Sequence, residues 1–276
     1  MWAEKMKFKD KVVLITGGAS GIGKEAAIQF AKNGAKVAIF DINQEKVESA
    51  CEEIKKYCDE CIAIVGDVRK KESVEACVNK LFEKFGDINY LINSAGILRD
   101  DVIDKISEEA FDNVIAINLK GTFLFIQACM KKWIVEPMAQ IKAAKKEGNP
   151  IPRPETFPDR RIINVSSMAA EGNIGQIAYS SAKAGVLGMT KTAAKELIQY
   201  NIKTHAIMPT LVETPMTDDL FAKDGGKWKK FYESRIPLGI GKPKDVVGVI
   251  MFLCGEESGY MNGTIIPIGG GRLHSL

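Results

Sequence analysis

The stretch "KVVLITGGASGIG", Lys11 to Gly23, decides the fold. Its first seven residues are a strand-like apolar run, and the residues that follow, 22–33, pattern as a helix. Between them, Gly17, Gly21 and Gly23 form G-x-x-x-G-x-G, with Ser20 and Ile22 in the intervening positions. Glycine lets a backbone turn sharply and approach a pyrophosphate, which then rests on the free N–H groups of a helix N-terminus. A glycine-rich turn alone is a weak signal; strand before, helix after and an acid closing the next strand make it strong. That acid is Asp41, at the end of "KVAIFD" and eighteen residues beyond Gly23. A carboxylate there accepts hydrogen bonds from the adenosine ribose and repels a 2′-phosphate. Position 20 is serine rather than a basic residue that could hold such a phosphate. Both features point to NAD over NADP.

Outward from this unit the same rhythm repeats. Strand-like runs fall at 11–17, 36–41, 61–68, 90–96, 161–167, 203–210 and 264–270, and most are continuously apolar. That is the pattern of parallel strands covered on both faces. Helical stretches separate them at 22–33, 43–57, 71–85, 107–132, 178–200 and 243–254. The alternation predicts an α/β fold: one doubly wound, Rossmann-type parallel sheet with helices on both faces. No linker interrupts it, so 1–276 reads as a single domain. Two segments break the rhythm. Residues 133–160 hold five prolines and several lysines, an insertion predicted to carry a short helix over 138–147 before a Pro-rich loop. Residues 211–236 contain Leu220, Phe221, Trp228, Phe231 and Tyr232, a composition suited to an amphipathic flap over a cleft.

The strand ends supply further candidates for dinucleotide contacts. Asp67 and Val68, in "GDV", follow the third strand, and the carboxylate suits the adenine amino group. Asn93 to Gly96, "NSAG", ends the fourth, where the small residues Ala95 and Gly96 let backbone approach a cofactor.

Composition excludes several classes. The chain of 276 residues is 46% hydrophobic and 26% charged, ordinary for a protein that buries a full core, and its net charge of +3 gives no stretch that calls for nucleic acid. No apolar run approaches the roughly 20 residues of a membrane-spanning helix. The N-terminal "MWAEKMKFKD" lacks an apolar h-region, which reads as a cytoplasmic protein. Cys58 and Cys61 form a C-x-x-C, but no second pair of cysteines or histidines follows to complete a zinc site, so they read as reduced thiols near a helix–strand junction.

Chemistry enters with "AYSSAKAG", where Tyr179 and Lys183 share one face of a helix at i, i+4. A cation beside a phenol lowers its pKa toward the operating range. With "TGGASGIG", "GDV", "NSAG", "NVIAINLKGTF", "RIINVSS", "YSSAK" and "PTLVETPMT", the chain resembles the short-chain dehydrogenase/reductase family over nearly its whole length, apart from 133–160. Within that family it is most similar to the β-ketoacyl carrier-protein reductases and, equally, to the NAD-linked 17β-hydroxysteroid dehydrogenases of type 8.

The resemblance implies a general acid/base in Tyr179, assisted by Lys183, which would also hold the nicotinamide ribose. Asn118, in "AINLKG", matches the family asparagine that holds a water behind the lysine. A serine at the end of the fifth strand steadies the substrate oxygen. By place on the strand it is Ser167; by spacing to Tyr179 it is Ser166. A strand slip turns every side chain over, whereas loops lose residues readily, which favours Ser167 with one residue missing from "MAAEGN". Pro209-Thr210 stands where the family shows Pro-Gly, while Val212 and Thr214 match positions that bind the cofactor. The segment "GGGRLHSL" falls where the family forms a subunit contact, which implies a homotetramer. The implied activity is interconversion of a secondary alcohol and a ketone, with a 3-hydroxyacyl/3-oxoacyl thioester favoured, and Arg99 matches a basic residue of the reductases. A hydroxysteroid or other hydrophobic alcohol is the alternative within the class, and a non-enzymatic dinucleotide-binding scaffold the alternative outside it.

Overall fold

The computed structural model of the chain describes residues 7–272. The first six residues of the N-terminal stretch, and 273–276 of the segment expected at a subunit contact, lie outside them. Seven strands form one parallel sheet: β1 (Val12–Thr16), β2 (Lys36–Asp41), β3 (Cys61–Val65), β4 (Tyr90–Asn93), β5 (Arg160–Val165), β6 (Ile202–Pro209) and β7 (Ile265–Ile268). Their order is β3-β2-β1-β4-β5-β6-β7. The doubly wound fold expected from the alternation is the one found. Because the order reverses between β1 and β4, a crevice opens there at the carboxyl ends of the strands.

Register explains the apolar runs. Ile39, Ile15, Ile92 and Ile163 are direct neighbours in one row across four strands, and His205 closes the row on β6. All five are fully buried. Burial, with the Arg161 and Lys203 cations nearby, pushes the imidazole pKa down to about 4. One face of the sheet is covered by α1 (Gly21–Lys32), α2 (Gln44–Ile54) and α10 (Pro243–Cys254). The other is covered by α3 (Lys71–Phe85), α5 (Gly121–Trp133) and α7 (Ile177–Leu197).

The helix that leads into α5 corrects one expectation. From α4 (Glu108–Val114), through a π-helical turn (Ile115–Lys120), into α5, the 26 residues Glu108–Trp133 are long and apolar enough to cross a membrane. Polar residues dispersed along the stretch hide this from a search for uninterrupted apolar runs. Half of its most apolar window is buried inside the protein. Leu124, Phe125, Cys129 and Trp133 pack with the core beside β4 and α3, as in a central helix of a globular fold.

The insertion contains α6 (Val135–Glu147), which begins ahead of the expected 138 because Pro137 sits in its first turn, where a missing N–H costs nothing. Its loop returns to the sheet through Phe157, whose carbonyl accepts from Asn201 Nδ2 at 2.7 Å. In the flap, α8 (Asp218–Ala222) and α9 (Lys227–Glu233) stand over the crevice. At the C-x-x-C, Cys61 faces not Cys58 but Cys51 of α2, with the sulfurs 2.9 Å apart.

Candidate active site

The crevice is a cleft of about 850 Å³. At one end its walls are strand tips. Gly17 leaves β1 with φ +65°, and a Cβ there would come within 2.8 Å of Ala95 Cα. Gly21, at φ +53°, opens α1 beside the Thr214 side chain. Only glycine suits this left-handed, close-packed backbone, and the first-turn N–H groups of α1 face the cleft without an N-terminal side-chain cap. A cradle of bare backbone ending on a free helix N-terminus fits a pyrophosphate. Gly17, Ser20, Gly21, Ile22, Asp41, Asp67, Val68, Ala95 and Gly96 all line the cleft. Asp41 holds itself in place by accepting from the backbone N–H of Ile42 at 2.8 Å and of Ala19 at 3.3 Å, which ties the acid to the glycine loop.

Three expected contacts differ in detail. Gly23 lies beneath the cleft and packs on the Gly17 carbonyl. Asn93 is also below it: its Nδ2 donates to Asn164 Oδ1 at 2.9 Å, and Asn164 in turn donates to Thr190, a buried polar strut between β4, β5 and α7. Asp67 lines the cleft, yet Arg69 grips its carboxylate through Nε at 3.0 Å and Nη2 at 2.7 Å and holds its pKa below the usual range. An adenine amino group would share that carboxylate with a guanidinium.

At the other end, Tyr179 and Lys183 project from the first turns of α7, Lys183 Nζ lying 5.5 Å from the phenol ring centre. The two serines separate as alternation on a strand requires. Ser166 is buried and donates to the Lys183 carbonyl at 2.8 Å. Ser167 lines the cleft with Tyr179, and its hydroxyl accepts from the Ala169 N–H at 3.1 Å and donates to the Pro209 carbonyl at 3.5 Å. The hydroxyl beside the phenol is therefore that of Ser167. Asn118 lies in the π-helical turn and clasps Ile97 reciprocally, with Oδ1 accepting from its N–H at 2.8 Å and Nδ2 donating to its carbonyl at 3.0 Å. Asn118 and Lys183 both border Gly96.

The electrostatics depart from the expected pattern. Burial pushes the Tyr179 phenol up to about 12, opposed by the nearby Ser167 hydroxyl, and pushes the Lys183 ammonium down to about 8. Lys183 Nζ spends a hydrogen bond on the Val165 carbonyl, at 2.8 Å, rather than on the phenol. Desolvation of both groups outweighs their mutual benefit in the protein alone.

Pro209, Val212 and Thr214 line the cleft as expected. Thr210 needs no glycine-like backbone, since its φ is not positive, and its N–H donates to Ile268 at 3.0 Å. Arg99 donates to the Leu98 carbonyl at 2.8 Å and is not among the residues that line the cleft. Its neighbour Asp100 is, with Gln176, Trp228, Phe231 and Tyr232. Asp100 and Gln176 had no motif signal, because the contact between them joins residues 76 apart in the chain.

Comparison with known proteins agrees with this geometry. The family model described as enoyl-(acyl carrier protein) reductase matches residues 17–272. A 3-oxoacyl-(acyl-carrier-protein) reductase of Thermotoga maritima is 40% identical, covering 96% of this chain and 99% of its own. A hydroxy(phenyl)methylsuccinyl-CoA dehydrogenase subunit of Thauera aromatica is 38% identical, with coverages of 97% and 98%. Among solved structures, a 3-ketoacyl-(acyl-carrier-protein) reductase of Brucella melitensis complexed with NADH superposes with a TM-score of 0.79 at 29% identity, covering 96% and 99% of the two chains. A glycine cradle for a dinucleotide, a phenol–hydroxyl pair at its far end and these full-length matches lead to one assignment: the chain belongs to the short-chain dehydrogenase/reductase family, oxidoreductases that bind a nicotinamide dinucleotide.

Proposed function

We propose that this oxidoreductase uses NAD(H) to interconvert a secondary alcohol and a ketone on an acyl thioester of the 3-hydroxyacyl/3-oxoacyl type. The observation that carries the reaction is the convergence of the Tyr179 phenol and the Ser167 hydroxyl at the end of the cleft opposite Asp41. When bound, the dinucleotide supplies or accepts the hydride. Tyr179 gives its proton to the carbonyl oxygen in reduction and takes it back in oxidation. Ser167 donates to the same oxygen as charge develops on it. Lys183 would hold the ribose hydroxyls, and Asn118 fixes the Ile97 backbone next to Gly96. The NAD preference rests on Asp41, whose carboxylate suits ribose hydroxyls and repels a phosphate. The thioester preference rests on relatives that act on carrier-protein and CoA substrates. A homotetramer belongs to the same reading. The apolar side chains Leu220, Trp228 and Phe231 at the cleft support a second reading, a steroid or other hydrophobic alcohol.

The test is an initial-rate assay with acetoacetyl-CoA, comparing NADH with NADPH and the wild type with Tyr179→Phe. NADH-dependent turnover is expected, reduced roughly a hundred- to ten-thousand-fold in the variant. Preference for NADPH would overturn the role of Asp41. Absent turnover with NADH still bound by fluorescence would move the substrate to the hydrophobic alcohols.

A further inference from the structure

Asp100 follows β4 and belongs to neither the glycine cradle nor the Tyr179 helix. Its Oδ2 accepts from Gln176 Nε2 at 2.7 Å. Gln176 is the residue that caps the N-terminus of α7, three positions before Tyr179, and its own Oε1 accepts from Asn173 Nδ2 at 3.0 Å. The backbones meet as well, Asp101 and Gln176 forming a parallel bridge. The Gln176 carbonyl accepts from Ser180 N–H at 2.7 Å, which closes the first turn of α7 around Tyr179. A carboxylate at the cleft mouth is thus fastened to the turn that presents the phenol.

We propose that Asp100 is a positioning residue for Tyr179, anchoring the start of α7 and fixing a negative charge beside the turn that presents the phenol. The groups that face Tyr179 support this. Lys183 approaches from α7 itself and the neutral Ser167 from the loop after β5. Tyr232 of α9 lines the same cleft, its proton affinity raised by burial and by Asp100 and opposed by Arg272. Among the charges at this end of the cleft, Asp100 raises the proton affinity of the Tyr179 phenol. Its own proton affinity is raised by burial and opposed by the Gln176 bond, so the bond helps keep it ionised. A negative neighbour disfavours phenolate, and its removal therefore lowers the pH at which Tyr179 ionises.

The inference rests on Tyr179 as the proton donor, and the test keeps the two apart. Tyrosine labelled at Cζ would be titrated by NMR in the wild type, Asp100→Asn and Asp100→Glu, with Tyr179→Phe identifying the resonance. Asparagine keeps an oxygen for Gln176 and removes only the charge. The expected result is a Tyr179 midpoint lower in Asp100→Asn by a few tenths to about one pH unit, recovered in Asp100→Glu and diminished by added salt. In oxidation of 3-hydroxybutyryl-CoA, the rising limb of the rate profile should move by the same amount. A midpoint unchanged in Asp100→Asn overturns the inference. Turnover retained by Tyr179→Phe would instead overturn the reading of the site, and the titration would still decide the effect of Asp100.

Discussion

The two ends of the cleft are made of different material. The end proposed for the dinucleotide is walled by backbone, with Gly17 packed too closely on Ala95 to admit a Cβ and Gly21 held at a left-handed φ. The substrate end is walled by large side chains, Trp228, Phe231 and Tyr232 stacked edge to face on a short helix of the flap. Backbone cradles depend on φ angles that one residue type satisfies, so they tolerate little; side-chain walls can be repainted one residue at a time. A fold that keeps its cofactor and changes its substrate needs that division.

The sharpest way to break the contrast is to put a methyl group on the cradle. Gly17→Ala combines a left-handed φ with a Cβ 2.8 Å from Ala95 Cα. It should weaken NADH binding by more than about a hundredfold and destabilise the fold by roughly 1–3 kcal/mol, measured by fluorescence titration and thermal melting. Near-normal binding would mean that the cradle is not the pyrophosphate site. Asp41→Ala comes next. Loss of a charged acceptor should cost NADH affinity roughly ten- to a hundredfold and narrow the gap to NADPH, read from KM for each cofactor. The smallest effect is expected at the other end. Trp228 is 39% exposed, and Trp228→Ala should raise substrate KM a few-fold while leaving NADH affinity and melting temperature nearly unchanged. A large loss of NADH binding there would show the two ends to be coupled.

The same division explains what could be read from the sequence. The strands and the glycine cradle were legible because continuous apolar runs and glycine spacing are local signals. Ser167 was reachable by a physical rule, since a residue lost from a loop is easier to absorb than a strand turned over. The side-chain role of Asn93 was not legible because its strand-end motif does not say which side chains point into the sheet, and its partner Asn164 lies 71 residues away. Arg99 and Asp100 are adjacent in sequence, and only the fold distinguishes the one that lines the cleft. The proton affinities of Tyr179 and Lys183 eluded the i, i+4 argument because it counts the neighbouring charge and not the water that both groups lose on burial.

The π-helical turn at Ile115–Lys120 has a consequence of its own. There the Gly121 N–H reaches back five residues to the Ala116 carbonyl. Such a turn holds one residue more than an α-helical path would, and each α-helical residue advances the helix by about 100°. Seen as arithmetic along the gene, it is a single inserted codon. Its deletion would return the stretch to an α-helical path with α4 and α5 facing nearly as before, so what the extra residue sets is the local placement of Asn118. The clasp between Asn118 and Ile97 depends on keeping count.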